Sequence, residues 1–429
     1  MPGATAPPTT PLPAPERGPT SFVALRHPAY RAYAIGILVA GFGDNIEHFI
    51  TYWVLWETFH SPLLAGFAVI AHWTPSLLLS VHLGQLAERH DCRRVIQTGQ
   101  SFFMLTSVGW GLLFLTGHLQ AWHAVILLIL HGLAGAVQGP ASQLIIHDIV
   151  GPRDLASAIR LNATQRQLVV LFGPFIGGLL LFALGPGFGM LANLGFYLPL
   201  SIWLTRFKYT GHGRDTAPRT GRGEFRWSES LHVLRDAGQN PAILAMIALA
   251  GASSVLVGNA FQAQMPEFAA DLGADRAGIG YTLLVGANAA GAFTGGVLLE
   301  LGGLLRPNAR VAIVAALVWC VVIVGFAMAQ SYPLAVGLLF VAGIFNLTFL
   351  AMAQTLVQQL APAEQRGRFV GLFNMFALGL RVGSGVTVGV LGSVIGIHWS
   401  LGLSAAVLFV VALGLLARTP ASHAQARLA

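Results

Sequence analysis

The sequence predicts an all-α membrane protein, with twelve transmembrane helices arranged as two pseudo-symmetric six-helix bundles. Three observations predict it. Apolar residues make up 55% of the chain and charged residues 10%, with a mean hydropathy of +0.68. Ordinary soluble proteins carry about 25% charged residues, so this chain cannot clothe itself in a polar surface. Apolar runs of the ~20 residues needed to cross a bilayer recur along the chain. The connections between them alternate between arginine-rich and arginine-poor.

Taken in order, the runs are 32–57, 62–85, 94–117, 122–147, 158–183, 187–206, 241–265, 277–301, 309–329, 332–358, 368–394 and 397–417. They read as helices, because in lipid every backbone polar group must be satisfied within the segment. One set of connections holds Arg17 and Arg26, then Arg89, Arg93 and Arg94, then Arg153, the stretch from Arg206 to Arg235, Arg306 and Arg310, Arg366 and Arg368, and finally Arg418 and Arg427. The opposite set, near His60, Gly117, Leu184, Gln330 and Ile395 and across 266–276, holds Arg276 alone. Arginine bias of this kind keeps basic loops in the cytoplasm. Both termini are therefore expected on the cytoplasmic side of a bacterial inner membrane. Topology accounts for the formal charge of +7, which argues against nucleic acid as a partner.

Residues 1–24 are proline-rich without an apolar core, and read as a disordered tail rather than a signal peptide. An N-terminal bundle is expected over 25–207, a linker over 208–240, a C-terminal bundle over 241–418 and a second tail over 419–429. Within the linker, Trp227, Leu231 and Leu234 share a helical face, the pattern of a short helix lying on a membrane surface; a solvated linker is the alternative. The two cysteines make no disulfide framework, and no Cys/His spacing points to zinc. No cofactor or metal is expected.

The halves repeat. Gly84, Leu86 and Glu88 spell G-x-L-x-E between runs two and three; Gly296, Leu298 and Glu300 spell it again 212 residues later (84 to 296). Pro152 and Pro362 precede runs five and eleven, and Gly173 and Gly383 follow each at the same offset. Internal repeats with a midplane site between them are a common transporter plan.

The segment GQLAERHDCRR, with Gly84, Leu86, Glu88, Arg89, Asp91, Arg93 and Arg94, resembles the loop signature of the major facilitator superfamily. Asp154, Ser157, Ala158, Leu161 and Asn162 are similar to a pattern of its siderophore and macrolide exporters. GPFIGG, with Gly173, Pro174, Gly177 and Gly178, resembles the antiporter motif of proton-coupled drug exporters, although Val169 stands where that motif has its first glycine. The resemblance covers about residues 22–418. It implies that the loop signature, with Glu300 as its counterpart, latches the two halves together. It also implies that spans one, four, seven and ten line the substrate cavity, where His131, Gln138, Asn259, Gln262, Asn346 and Gln354 lie. Each of these is alternatively an interhelical hydrogen-bonding residue.

Asp44, Glu47 and His48 interrupt the first run near mid-bilayer, on one helical face. A charge at the bilayer centre costs at least ~2.5–3.5 kcal/mol, so that face is expected to look into protein or a wet cavity. Buried carboxyls and a histidine are suited to carrying protons; a static polar network is the alternative. Arg381, deep in run eleven, is their expected counterpart across the cleft. Arg166, shallower in run five, is a second or simply reaches the interface.

There is no P-loop, no G-x-S-x-G elbow and no H-E-x-x-H. The expected function is therefore not enzymatic. It is proton-coupled efflux of a small amphipathic molecule, siderophore or drug-like, by a monomer embedded in the bilayer. An importer or uniporter of a metabolite, and a non-transporting sensor or scaffold, are the alternatives.

Overall fold

In a computed structural model the described residues are 22–212, 235, 238–274, 278–302, 308–362 and 366–419. Among them the regular structure is all helix, without a strand. Helix α1 spans Pro28–Phe59, α2 Pro62–Arg89 and α3 Cys92–Thr116. Ala121–Arg206 is one hydrogen-bonded run, broken at Gly151 (φ 71°) and Gly185 (φ 73°). A left-handed φ is cheap only for glycine, so these two residues let the chain turn sharply between helices. They divide it into α4 (121–150), α5 (152–184) and α6 (186–206). In the second half follow α7 (Pro241–Leu256), α8 (Ile279–Gly302), α9 (Ala309–Ala327), α10 (Tyr332–Leu360), α11 (366–395) and α12 (Ile397–Arg418).

Starts are set by local chemistry. Ser61 Oγ accepts from the Leu64 amide, Asp91 from the Arg93 amide, Asn240 from Ala242 and Ile243, and Asn308 from Arg310. Such caps satisfy amides that the first turn leaves without partners. Proline follows in the first turn of α2, α7 and α10, where its missing N–H is harmless. Each apolar run of the sequence is helical, except that the seventh, expected over 241–265, breaks at 257–259 and continues as the short helices Ala260–Ala263 and Met265–Asp271. Among the described residues nine segments are long and apolar enough to cross a membrane. The two unbroken helices outside that set are α1, which carries Asp44, Glu47 and His48, and α3.

Two features differ from the sequence expectations. Val23–Arg26 forms a 3₁₀ turn where the tail was expected to run to residue 24, because the Ala24 amide reaches Ser157 Oγ (3.3 Å) and Ala24 is fully buried. Helix α11 is irregular, with a 3₁₀ turn at Gly379–Arg381 and a π-helical stretch at Gly385–Val390. Most of the linker, including Trp227, Leu231 and Leu234, the remainder of both tails and the Glu300 side chain lie outside the described residues.

The apolar interior falls into two clusters. One joins Ile46, Phe49, Trp53, Ala65, Val69 and Leu181 of the first half to the core of the second. The other, with Tyr30, Leu83, Val95, Ile145 and Tyr197, stays within the first half. The halves therefore share a core only at the end that carries the α1–α2 turn.

Candidate functional site

The first half concentrates its buried polarity around one imidazole. Glu47 on α1 is 1% exposed. Its two carboxylate oxygens are both occupied: Oε1 lies 2.8 Å from His131 Nδ1 on α4, and Oε2 accepts from Ser107 Oγ on α3 at 2.8 Å. Asn193 on α6 donates to Ser107 Oγ (3.2 Å) and to the Gly43 carbonyl (2.9 Å). A carboxylate oxygen accepts, so opposite an ionised Glu47 the ring of His131 presents Nδ1–H. That fixes the ring and aims Nε2 at Asp44 and His48, 3.0 Å from Asp44 Oδ1 and 3.2 Å from His48 Nε2. His48 Nε2 also lies 3.8 Å from Asp44 Oδ1. When His131 carries both protons, it bridges the two carboxylates and neutralises one of them.

Asp44, Glu47 and His48, expected to look into protein or a wet cavity, divide between the two. The side chains of Asp44 and His48 are 31% and 21% exposed, whereas Glu47 is sealed among α1, α3, α4 and α6. The three share a helix face, but residue 47 points toward neighbouring helices that the sequence alone does not place. His72 on α2 completes the group, its ring 4.6 Å from that of His48 and 5.5 Å from that of His131.

Arg381 sits on the 3₁₀ turn of α11, with its guanidinium carbon 5.1 Å from the centre of the Trp73 ring on α2. Among the described residues no carboxylate lies within ion-pair distance of it. The expected ionic pairing across the cleft is thus replaced here by a cation–π contact, which attracts a cation without neutralising it. Arg166 is exposed on α5 and is not brought to this group.

The halves close over one end of this site. Gln264 donates to the Pro62 carbonyl (2.9 Å), and the Tyr281 hydroxyl to the Phe49 carbonyl (3.3 Å). Phe49 and Tyr281 stack at 4.2 Å. A Cβ on Gly66 would lie 2.6 Å from Gly389 Cα, so α2 and α11 approach backbone to backbone. A Cβ on Gly379 would lie 3.6 Å from Leu77 Cδ1, whereas one on Gly84, farther along α2, would meet nothing within 4 Å among the described residues. Small residues permit this approach, as in other membrane helix pairs.

Other sequence-selected residues divide. Gly173 and Gly177 pack on Asn45 and Phe49 of α1, flanking the acids, and Gly178 packs on Thr282 of α8 in the other half. With the buried Pro174, this segment ties α5 to both. Asp91 and Arg93 pair at 2.6 Å, and Arg93 also donates to the Phe207 carbonyl, which links α3 to the end of α6 within one bundle. Glu88, Arg89 and Arg94 are exposed. Gln138 accepts from Gln100 (2.6 Å), an interhelical hydrogen bond. Asn259, Gln262, Asn346 and Gln354 are half-buried in the second half. Ser107 and Asn193 were not selected from the sequence: a lone serine or asparagine in an apolar run gives no signal until its neighbours are known.

A family model described as transmembrane secretion effector, of the major facilitator type, matches residues 19–428. The chain belongs to that family. The protein is a membrane transporter of the major facilitator type, with the fold of that superfamily. It is 26% identical over 130 residues to the staphyloferrin A transporter of Staphylococcus aureus (strain NCTC 8325 / PS 47). That match spans 30% of this chain and 33% of the relative. Solved structures resemble it in fold. A bacterial homolog of the human lysosomal transporter Spinster, inward-facing and unoccupied, has a TM-score of 0.67 at 14% identity, covering 94% of this chain and 100% of that one. The nucleoside transporter NupG gives 0.65 at 13% over 90% and 98%. A D-xylose-proton symporter gives 0.61 at 14% over 93% and 97%.

Proposed function

We propose that this protein exports a small amphipathic molecule, siderophore or drug-like, across a bacterial inner membrane by alternating access, with protons as the coupling ion and both termini in the cytoplasm. One observation carries the reading. The acid–histidine group of the first half and Arg381 of the second flank the place where the two halves meet, closed at the end that carries the α1–α2 turn. With the arginine-rich loops inside, the closed end faces away from the cytoplasm, and the opposite end is where an exporter would collect its substrate. Arg381, without a carboxylate partner among the described residues, suits an anionic group on that substrate. The partial similarity to a staphyloferrin A transporter favours a carboxylate-bearing chelator among the candidates. Asp44, Glu47 and His48 are the groups on which a proton would be carried. The glycines of α5, packed against residues on either side of them, would pass a change there to α8. Gly84, Glu88, Arg89, Asp91, Arg93, Arg94 and Glu300 would form the latch when the opposite end closes.

Proteoliposomes loaded with polycarboxylate siderophores or cationic drugs, under an imposed pH gradient, test this reading. Wild-type protein is expected to move one class opposite to the proton flow, and Asp44→Asn and Glu47→Gln to abolish the flux while remaining inserted. Wild-type flux by both variants at every pH would reject the coupling role.

A further inference from the structure

His48, His72 and His131 come from three helices, α1, α2 and α4, yet one ring nitrogen of each lies within 4.8 Å of the other two. The transport reading names only His48 of the three and leaves the set as a group unused. Two nitrogens bound at ~2.0–2.1 Å to one tetrahedral ion stand ~3.3 Å apart. His131 Nε2 is 3.2 Å from His48 Nε2 and 3.0 Å from Asp44 Oδ1, and His48 Nε2 is 3.8 Å from that same oxygen. These three atoms bracket the edge length of one tetrahedral face. His72 brings a ring nitrogen within 4.8 Å of those of His48 and His131, near enough to take the fourth corner after a small side-chain shift. Its Nδ1 is buried and has no hydrogen-bond partner among the described residues, which a purely hydrogen-bonded cluster leaves unexplained.

We propose that His48, His72, His131 and Asp44 bind one borderline divalent transition-metal ion, of the Zn²⁺, Co²⁺ and Ni²⁺ class. Three imidazoles and one carboxylate select this class over Ca²⁺ or Mg²⁺, which take oxygen ligands. Glu47 acts from behind: it holds His131 by Nδ1 and leaves Nε2 for the ion, the carboxylate–histidine–metal arrangement of outer-shell ligands. Entry is from the cleft, on which Asp44 and His48 are partly exposed. The bound ion ties α1, α2 and α4 together at the face the substrate meets.

The test uses purified full-length protein in detergent, stripped with a chelator and titrated with Co²⁺ alone. The expected result is one saturable site per chain with the visible d–d absorption of a four-coordinate ion, bleached by Zn²⁺. His72→Phe removes one ligand and leaves the Glu47–His131–Asp44 contacts. It is expected to weaken that site at least ~10-fold while the protein stays monodisperse, as is Glu47→Gln, which removes no ligand. Surface histidines bind weakly in every form and cancel in the difference. If the phenylalanine variant does not fold, His72→Gln takes its place. A wild type that binds no Co²⁺ beyond a His48→Phe/His72→Phe double variant overturns the proposal, and so does unchanged affinity in the single variant. Binding is read without substrate or proton gradient, so its failure beside intact pH-driven flux would sink the metal site alone.

Discussion

Alternating access requires the closed end to open, and Gly66→Ala is the smallest change that should bias it. The added Cβ would lie 2.6 Å from Gly389 Cα and 2.7 Å from the Gly385 carbonyl oxygen, both backbone atoms of α11. Ordinary contact begins at 3.4 Å, so the helices must part by most of an ångström. Overpacking of this kind costs ~1–3 kcal/mol, and here the cost falls only on the closed state. The closed-to-open ratio should therefore drop ~5–150-fold. Thr282→Cys, near-isosteric and packed against Gly178 across the halves, reports the opening. Its labelling by a membrane-impermeant thiol reagent, measured from the side of the α1–α2 turn, should accelerate when Gly66→Ala is added. The two native cysteines are buried and give a low background. Equal labelling rates with and without Gly66→Ala would show that this contact does not hold the end shut.

Glu47→Gln keeps the shape but replaces an acceptor-only carboxylate facing Ser107 and His131. Thermal unfolding in detergent should show a loss of ~1–3 kcal/mol, the cost of imperfectly paired buried polar groups. Arg381→Ala should weaken binding of anionic substrates more than neutral ones in a ligand-induced melting shift; equal effects on both would discard its role toward an anionic group. Glu267, outside the spanning segments beside Asp271 and His398, has its carboxyl pushed up to about 7, first by burial and then by Asp271. The folded state then holds a proton that the unfolded chain releases at lower pH. Stability from this group is therefore full below the ordinary glutamate range and is lost as pH rises through about 7. Glu267→Gln should flatten the melting temperature between pH 5 and 8, and an unchanged slope would assign the dependence elsewhere.

Hydropathy and arginine placement are one-dimensional signals that a bilayer reads directly, so the all-helical membrane fold and the family motifs were legible before any coordinates. So was the oddity of Asp44, Glu47 and His48, because a charge in an apolar run is costly wherever the helix turns. The consequences of that oddity were not. Which acid is sealed and which meets the cleft depends on where Ser107, Asn193 and His131 arrive, and those positions follow from packing among α1, α3, α4 and α6. The grouping of His48, His72 and His131 has no sequence spacing to betray it, since each comes from a different helix. The pairing of Arg381 with Trp73, and the closed end at Gly66 and Gly389, likewise exist only once two bundles touch. Burial into lipid is decided residue by residue along the chain, whereas a site between helices is decided by how their surfaces fit.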